Sequence, residues 1–245
     1  KINIIIINFI KKNKNHLMIT GSNGFIGRNL VKKLSKNFFV HAYVRKKKII
    51  PEKNILYIDT DLSKIKKINK NIKILIHCAS KTPPNYSQKR CYKNNKSIDT
   101  NILNIIKKSN VRTFIYLSSI SVYGDKEGKI VSENTVAKPN DLYGKSKYET
   151  ELKINKLSKK LNIKFIILRL CTIIGKNCHS TFLSKVSKDI KNKKIIKVFG
   201  VENLFNACMH IDTFCNNVLN ILKNKKIKNN FNMVILQSHK PVKLN

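Results

Sequence analysis

The 245-residue sequence has few acidic residues, with 13 aspartates and glutamates against 50 lysines and arginines, and its formal net charge is +37. Such an excess is typical of proteins that bind nucleic acid or anionic membranes. Here, however, the lysines are spread over nearly every segment and form no basic face with interleaved aromatic residues. A nucleic-acid partner is therefore not expected, although the charge should attract anionic ligands in a salt-dependent way.

The six cysteines form no CxxC pair, and no His/Cys spacing suits zinc. We therefore expect no metal site, and reduced thiols in a cytoplasmic protein. The apolar opening of residues 1–10 is about half as long as a membrane span and lacks a secretory cleavage site. Residues 1–15 are interpreted as an N-terminal extension, with a peripheral membrane anchor as the alternative. No internal repeat or Gly/Ser linker is present, which indicates one compact unit.

From His16 onward, short apolar runs alternate with longer amphipathic segments. This rhythm predicts an α/β fold with a doubly wound parallel sheet over residues 16–170, followed by shorter elements over residues 171–245. The predicted strands are His16–Thr20, Phe38–Val44, Ile55–Ile58, Ile72–His77, Thr113–Ser118, Lys164–Leu170, Ile195–Phe199 and Phe231–Leu236. The predicted helices are Phe25–Ser35, Asn94–Ser109, Leu142–Leu161, Thr181–Ile190 and Asp212–Leu222.

A glycine-rich turn, TGSNGFIG, occupies residues 20–27 between a predicted strand and a predicted helix. Its three glycines allow a tight turn, a close approach of the backbone to a pyrophosphate, and close packing of helix on strand. The helix N-terminus adds N–H donors and a positive dipole. The pattern predicts a dinucleotide site formed by Gly21, Ser22, Asn23, Gly24, Phe25, Ile26 and Gly27.

Arg45 follows the second predicted strand, where one side chain normally faces the adenosine ribose. An acid there would bind the 2′-hydroxyl, whereas an arginine can pair with a 2′-phosphate. Arg45 therefore favours NADP over NAD, although it also belongs to the basic stretch 45–48. Asp61 and Leu62, just after the third strand, are placed to contact the adenine edge, with an ordinary exposed loop as the alternative.

Tyr143 and Lys147 are four residues apart and hence on one face of a predicted helix. Tyrosine has an ordinary pKa near 10, so acid/base work near neutral pH needs a neighbouring positive charge. A reduction of roughly three units corresponds to about 4 kcal/mol, which Lys147 and an oxidised nicotinamide would supply. Ser119 stands at the end of the fifth strand, where a hydroxyl can hold a substrate oxygen. The predicted catalytic residues are Ser119, Tyr143 and Lys147.

With these three motifs in this order, the sequence resembles the extended short-chain dehydrogenases, the NAD(P)-dependent sugar-nucleotide epimerase/dehydratase family. The resemblance implies a Rossmann-type domain over 16–170 and a small, shortened substrate-binding cap over 171–245. It implies hydride transfer with Tyr143 as acid/base, Lys147 on the nicotinamide ribose and Ser119 on the substrate. It also implies a homodimer. It adds cofactor contacts at Cys78, Ala79, Ser80 and Asn95, and substrate contacts at Ser121, Thr172 and His210.

The sequence departs from this family at several positions. The dehydratases carry Thr-Asp-Glu where this chain has Ser119, Ile120 and Ser121, so dehydration is not expected. Thr172 and Asn206 replace residues that usually help bind the nucleotide diphosphate. The leading hypothesis is an epimerase or reductase of a nucleoside-diphosphate sugar. The alternatives are an NADP-dependent reductase of another small carbonyl compound and a non-catalytic dinucleotide sensor.

Overall fold

The fold is built on a sheet of seven strands, all parallel, in a computed structural model that describes residues 15–45, 52–83, 85–125, 131–178, 182–195, 208–224 and 230–237. The strand order in the described residues is β3-β2-β1-β4-β5-β6-β9. These strands are β1 (His16–Thr20), β2 (Phe39–Val44), β3 (Ile55–Asp59), β4 (Ile72–His77), β5 (Thr113–Ser119), β6 (Lys164–Leu170) and β9 (Phe231–Leu236).

The helices are α1 (Phe25–Leu34), α2 (Gln88–Ile106), α3 (Leu142–Ser158), α4 (Phe182–Lys191) and α5 (Ile211–Lys223), and a 3₁₀ turn spans Ile120–Tyr123. Two further short strands, β7 (Thr172–Ile174) and β8 (Cys208–His210), pair with each other in parallel. None of the helices in the described part of the chain is long and apolar enough to cross a membrane.

The sheet is covered on both faces, as its apolar strands require. Along β1, Leu17 and Ile19 join a core with α1 and α5, whereas Met18 joins the opposite core with α2 and α3. Because successive side chains of a strand point to opposite faces, a strand covered on both sides must be apolar throughout. This arrangement confirms the predicted doubly wound α/β fold.

One helix and two short strands differ most from the sequence prediction. Helix α2 begins at Gln88, ahead of the predicted start at Asn94, because the Ser87 side chain accepts a hydrogen bond from the Arg90 N–H and caps the helix. Strands β7 and β8 were not predicted, since three-residue strands are too short to show a period.

Strand β9 lies in the main sheet beside β6, whereas the sequence pattern assigned it to the smaller C-terminal portion. Its pairing partner is distant in sequence, so periodicity alone could not place it. Helix α5, from the same portion, contributes Phe214 and Val218 to the core formed with α1. The predicted strand Ile195–Phe199 lies almost wholly outside the described residues, and the predicted N-terminal extension does so except for residue 15.

A buried ion pair joins α3 to β6. The Arg169 guanidinium donates to both carboxylate oxygens of Glu151, at 3.1 and 2.6 Å, and to the Tyr123 hydroxyl at 2.6 Å. The Arg169 and Glu151 side chains are only 4% and 5% exposed. Removing one partner would leave the other charge buried without compensation, which is costly.

We therefore expect Glu151→Gln to lower the free energy of unfolding by about 3 kcal/mol. Glu149→Gln is the matched control on the same helix, because Glu149 pairs with Lys96 at the partly exposed surface and should contribute less than about 1 kcal/mol. Urea unfolding of both variants measures the difference. Similar losses for the two would contradict the importance of the buried pair.

Candidate active site

A cleft opens at the edge where the strands of the parallel sheet have their carboxyl ends, and its cavity measures about 660 Å³. It runs from the glycine-rich turn to the start of α3. The predicted site residues that line it are Gly21, Asn23, Gly24, Phe25, Ile26, Gly27, Arg45, Asp61, Leu62, Cys78, Ala79, Ser80, Ser119, Ser121, Tyr143, Lys147 and Thr172.

The glycine-rich turn has the geometry that its glycines allow. Gly21 has a positive φ of 67°, which favours glycine, and its carbonyl accepts from the Gly24 N–H at 2.9 Å. A Cβ on Gly27 would lie 2.2 Å from the Gly21 oxygen, so α1 approaches the turn too closely for a side chain there. Helix α1 begins without a side-chain cap, so its N-terminus faces the cleft as a ready site for a phosphate.

Neighbouring hydrogen bonds attach this turn to the strands. Asn23 donates to the Arg45 carbonyl at 3.0 Å, and Thr20 Oγ1 accepts from the Cys78 and Ala79 N–H groups at 3.1 and 3.2 Å. Ser22 is buried, and its hydroxyl donates to the Ile19 carbonyl at 2.9 Å. The Ser22 side chain therefore stabilises the turn by this hydrogen bond and does not line the cleft. The sequence had suggested a cofactor contact for Ser22.

Three cations interact in and beside the cleft, which Arg45 and Lys81 line and Arg90 does not. Burial lowers the pKa of Lys81, and the charges of Arg90 and Arg45 lower it further. Lys81 and Arg90 both lie over the Tyr86 ring, at 5.0 and 5.3 Å from its centroid. Sequence reasoning selected Arg45 but not Lys81, because one lysine among so many carries no distinctive signal.

Asp61 lies near Arg45, and its pKa is below its ordinary value. Hydrogen bonds from Ser63 are the main cause, and the charges of Lys64 and Arg45 contribute. Asp61 is therefore a carboxylate near Arg45, one of these three cations.

The predicted catalytic residues meet in the same cleft. Lys147 is only 2% exposed, and its ammonium donates to the Leu117 carbonyl at 2.9 Å while lying 5.9 Å from the Tyr143 ring centroid. The start of α3 is held by Asp141, whose carboxylate accepts from the Gly144 N–H, and by Gln88, whose side chain accepts from the Tyr143 N–H. Gln88 had no sequence signal, since its role arises only when α2 and α3 pack together.

The pKa of Tyr143 differs from the sequence expectation. Burial raises it above its ordinary value, and the hydrogen bonds from Ser119 and Ser80 lower it without cancelling that effect. The sequence predicted that Lys147 lowers the pKa of Tyr143. With the protein's own groups alone the pKa is raised, because the cost of desolvating the phenolate is larger than the effect of the ammonium over the ring. The positive charge of an oxidised nicotinamide is the other source that the sequence analysis named.

Two other predicted site residues lie away from the cleft lining. Asn95 is buried, and its amide both accepts from the Lys81 N–H, at 2.8 Å, and donates to the Lys81 carbonyl, at 3.0 Å. It positions the loop after β4 through these two hydrogen bonds. His210 is exposed and accepts from the Asp212 N–H at 3.3 Å, which caps α5. No group of three or more metal-ligating side chains occurs among the described residues.

Comparison with known proteins agrees with this geometry. The model of the NAD dependent epimerase/dehydratase family matches residues 17–234. The chain belongs to this family. The resemblance proposed from the three motifs is thereby confirmed, and so is the prediction of an NAD-dependent enzyme of the epimerase/dehydratase type.

Two relatives illustrate the range of the epimerase/dehydratase family. ADP-L-glycero-D-manno-heptose-6-epimerase of Brachyspira hyodysenteriae is 30% identical over 223 residues, which cover 80% of this chain and 68% of that protein. D-erythronate dehydrogenase of Haemophilus influenzae is 29% identical over 195 residues, which cover 71% of this chain and 61% of that protein. The chain thus spans about two thirds of the length of these relatives.

A solved structure shares the fold. UDP-glucuronic acid 4-epimerase from Bacillus cereus, in complex with NAD, superposes with a TM-score of 0.79 at 21% identity. The match covers 94% of this chain and 80% of that one. It confirms the Rossmann-type architecture.

Gly27→Ala should disrupt the turn, because its new methyl group would meet a backbone oxygen at 2.2 Å. Overpacking of this kind costs about 1–3 kcal/mol, and we expect it to reduce both stability and NAD binding. In the control Gly24→Ala, the corresponding Cβ lies 3.2 Å from the same oxygen and should be tolerated better. Calorimetric titration with NAD and urea unfolding make the comparison. Equal effects in the two variants would contradict a close approach that is specific to residue 27.

Proposed function

We propose that the chain binds a nicotinamide dinucleotide and acts as an epimerase or reductase on a nucleoside-diphosphate sugar, with Tyr143 as acid/base. The observation that carries this proposal is that Ser119, Tyr143 and Lys147 line the same cleft as the bare glycine turn. The residues suit such a cofactor, because the turn leaves room for a diphosphate at the start of α1 and the cleft continues from there to Tyr143. When bound, the cofactor supplies the hydride donor or acceptor.

Each of the three catalytic residues then has one task. Tyr143 transfers a proton to or from the sugar oxygen that is oxidised or reduced. Ser119, which hydrogen-bonds Tyr143, orients that oxygen. One N–H of Lys147 donates to the Leu117 carbonyl, and the ammonium's other donors can bind a ribose hydroxyl.

The substrate class is supported by the two epimerases found by comparison, which are named for an ADP-linked and a UDP-linked sugar. In this chain the substrate would lie beyond Ser119, towards Ser121 and Thr172, which line the same cleft. The Ser119 and Ser121 hydroxyl oxygens lie 3.0 Å apart, so both hydroxyls can reach one substrate. Turnover of a panel of UDP-, GDP- and dTDP-sugars with NAD or NADP tests this proposal.

A second candidate is a dehydrogenase or reductase of a small hydroxy or carbonyl compound that carries no nucleotide. The similarity to D-erythronate dehydrogenase favours it. So does Thr172, which stands in the cleft where the resemblance led us to expect a residue for the diphosphate. Turnover of small hydroxy acids without turnover of any nucleotide sugar would favour this candidate. A homodimer and a cytoplasmic location stay predictions.

Replacing Tyr143 with Phe should remove the acid/base and lower kcat by about 10²–10⁴. NAD binding should persist, because the ring is retained. Tyr148→Phe is the control, since it removes a hydroxyl from the same helix at a position outside the cleft lining. Steady-state kinetics with the best nucleotide sugar of the panel gives the result. Turnover of Tyr143→Phe within severalfold of the parent would rule out the assigned role.

For the cofactor, we propose a preference for NADP, because Arg45 lines the cleft close to Lys81 and Arg90. An arginine that follows β2, where the adenosine ribose is expected, would bind a 2′-phosphate.

Arg45→Ala should therefore weaken NADP binding by about 10–100-fold, as expected for a hydrogen bond to a charged group, and weaken NAD binding much less. Lys64→Ala removes another exposed cation near Asp61 and controls for the general loss of charge. Fluorescence titrations with NADPH and NADH provide the affinities. Equal losses for both cofactors would contradict a 2′-phosphate contact.

A further inference from the structure

A buried carboxylate, Asp99, contacts helix α3, which carries Tyr143 and Lys147. Asp99 of α2 is 1% exposed and accepts three hydrogen bonds, from His77 Nε2 at 3.0 Å, the Tyr116 hydroxyl at 2.6 Å and the Thr150 hydroxyl at 2.9 Å. The three donors belong to β4, β5 and α3. Asp99 thus joins helix α3 to strands β4 and β5, although it does not line the cleft itself.

The network extends to the glycine turn. Thr20 Oγ1 lies 2.6 Å from His77 Nδ1 and already accepts from the N–H groups of Cys78 and Ala79. Its own O–H is therefore left to donate to His77, whose opposite nitrogen donates to Asp99. This chain of hydrogen bonds connects Asp99 to the residue that precedes Gly21.

The Tyr116 side chain contacts both Asp99 and Lys147. Its hydroxyl binds Asp99, and the Lys147 ammonium lies 4.8 Å from its ring centroid. Such a position over an aromatic face stabilises a cation. Fixing the Tyr116 ring therefore also fixes the surface on which the ammonium packs.

The other groups that face Lys147 do not balance its charge. Glu151, on the same helix, is engaged by Arg169 and by the Ser118 hydroxyl. Cys78 and Tyr143 are the remaining titratable neighbours, and burial raises the pKa of each, which favours their neutral forms. Asp99, in contrast, accepts no described hydrogen bond from a lysine or an arginine.

The titration behaviour of the pair agrees with a mutual balance. Burial alone would raise the pKa of Asp99, but hydrogen bonds from His77 and Tyr116 and the charge of Lys147 bring it below its ordinary value. Burial lowers the pKa of Lys147, and the charge of Asp99 is the largest effect that opposes this. Two buried charges of opposite sign therefore interact, and both contact Tyr116.

We propose that Asp99 is a positioning residue for the proposed reaction. Its carboxylate balances the buried charge of Lys147 and holds the Tyr116 ring against which the ammonium packs. The inference rests on the proposed function, in which Lys147 and Tyr143 act beside the bound cofactor.

A double-mutant cycle on stability tests the charge balance without any substrate. Asp99→Asn leaves the ammonium unbalanced, Lys147→Met leaves the carboxylate unbalanced, and the double variant leaves neither. We expect the double variant to lose less unfolding free energy in urea than the sum of the single losses. Additive losses would overturn the proposal. If Asp99→Asn does not fold, recovery of folding in the double variant supports the proposal, and continued failure overturns it.

The pKa of Tyr143 gives a second readout, because the loss of a hydrogen bond alone would not change it. Asp99 raises the pKa of Tyr143, so removing its charge should shift the phenolate titration to lower pH. The ultraviolet difference absorbance between each NAD-bound protein and its Tyr143→Phe counterpart isolates this phenolate. Thr150→Val, which removes one hydrogen bond but keeps the charge, should leave the titration in place. An unmoved titration in Asp99→Asn would overturn the proposal.

A failure of the role proposed for Asp99 can be told apart from a failure of the proposed function. If Tyr143→Phe is inactive but the cycle is additive, the proposed function stands and the role of Asp99 is wrong. If Tyr143→Phe keeps its turnover, the assigned chemistry is wrong, whatever the cycle shows.

Discussion

The parallel direction of the strands is the constraint on which the rest of this structure depends. Since all strands of the sheet run the same way, their carboxyl ends meet at one edge, and each must be followed by a crossover that returns the chain. The glycine turn after β1, the loop after β4, Ser119 at the end of β5 and Thr172 after β6 therefore converge on one cleft. Burial on both faces requires the strands to be apolar, so the polar residues concentrate where the strands end.

Buried charged groups hold helix α3, which carries Tyr143 and Lys147, against its neighbours. The chain has few carboxylates, yet two of them, Asp99 and Glu151, are nearly inaccessible and contact α3 or belong to it. Glu151 neutralises Arg169 and secures the helix to β6, whereas Asp99 serves the network around Lys147. A protein with a large excess of positive surface charge thus relies on a few negative groups in its interior. Their energetic weight is high because desolvation makes any unbalanced partner costly.

In the proposed mechanism, the position of Tyr143 would link proton transfer to cofactor binding. Burial within the cleft raises the pKa of its phenol, although Ser119 and Ser80 hydrogen-bond to it. Under the proposed mechanism, the additional positive charge would come from the oxidised nicotinamide, so the phenolate would form only when the cofactor is in place. Such a dependence would restrict acid/base chemistry to the complex in which hydride transfer can follow.

The sequence alone determined the strand and helix alternation, the glycine turn and the Ser119, Tyr143 and Lys147 set, because these depend on local periodicity and on motifs of fixed spacing. It could not determine that Asn95 supports Lys81 from behind, that His210 caps a helix outside the cleft, or that β9 completes the main sheet. Asp99 and Gln88 likewise gave no signal, since each acts through residues distant in the chain. Only the tertiary structure decided these roles, because hydrogen-bond partners and desolvation depend on which segments pack together.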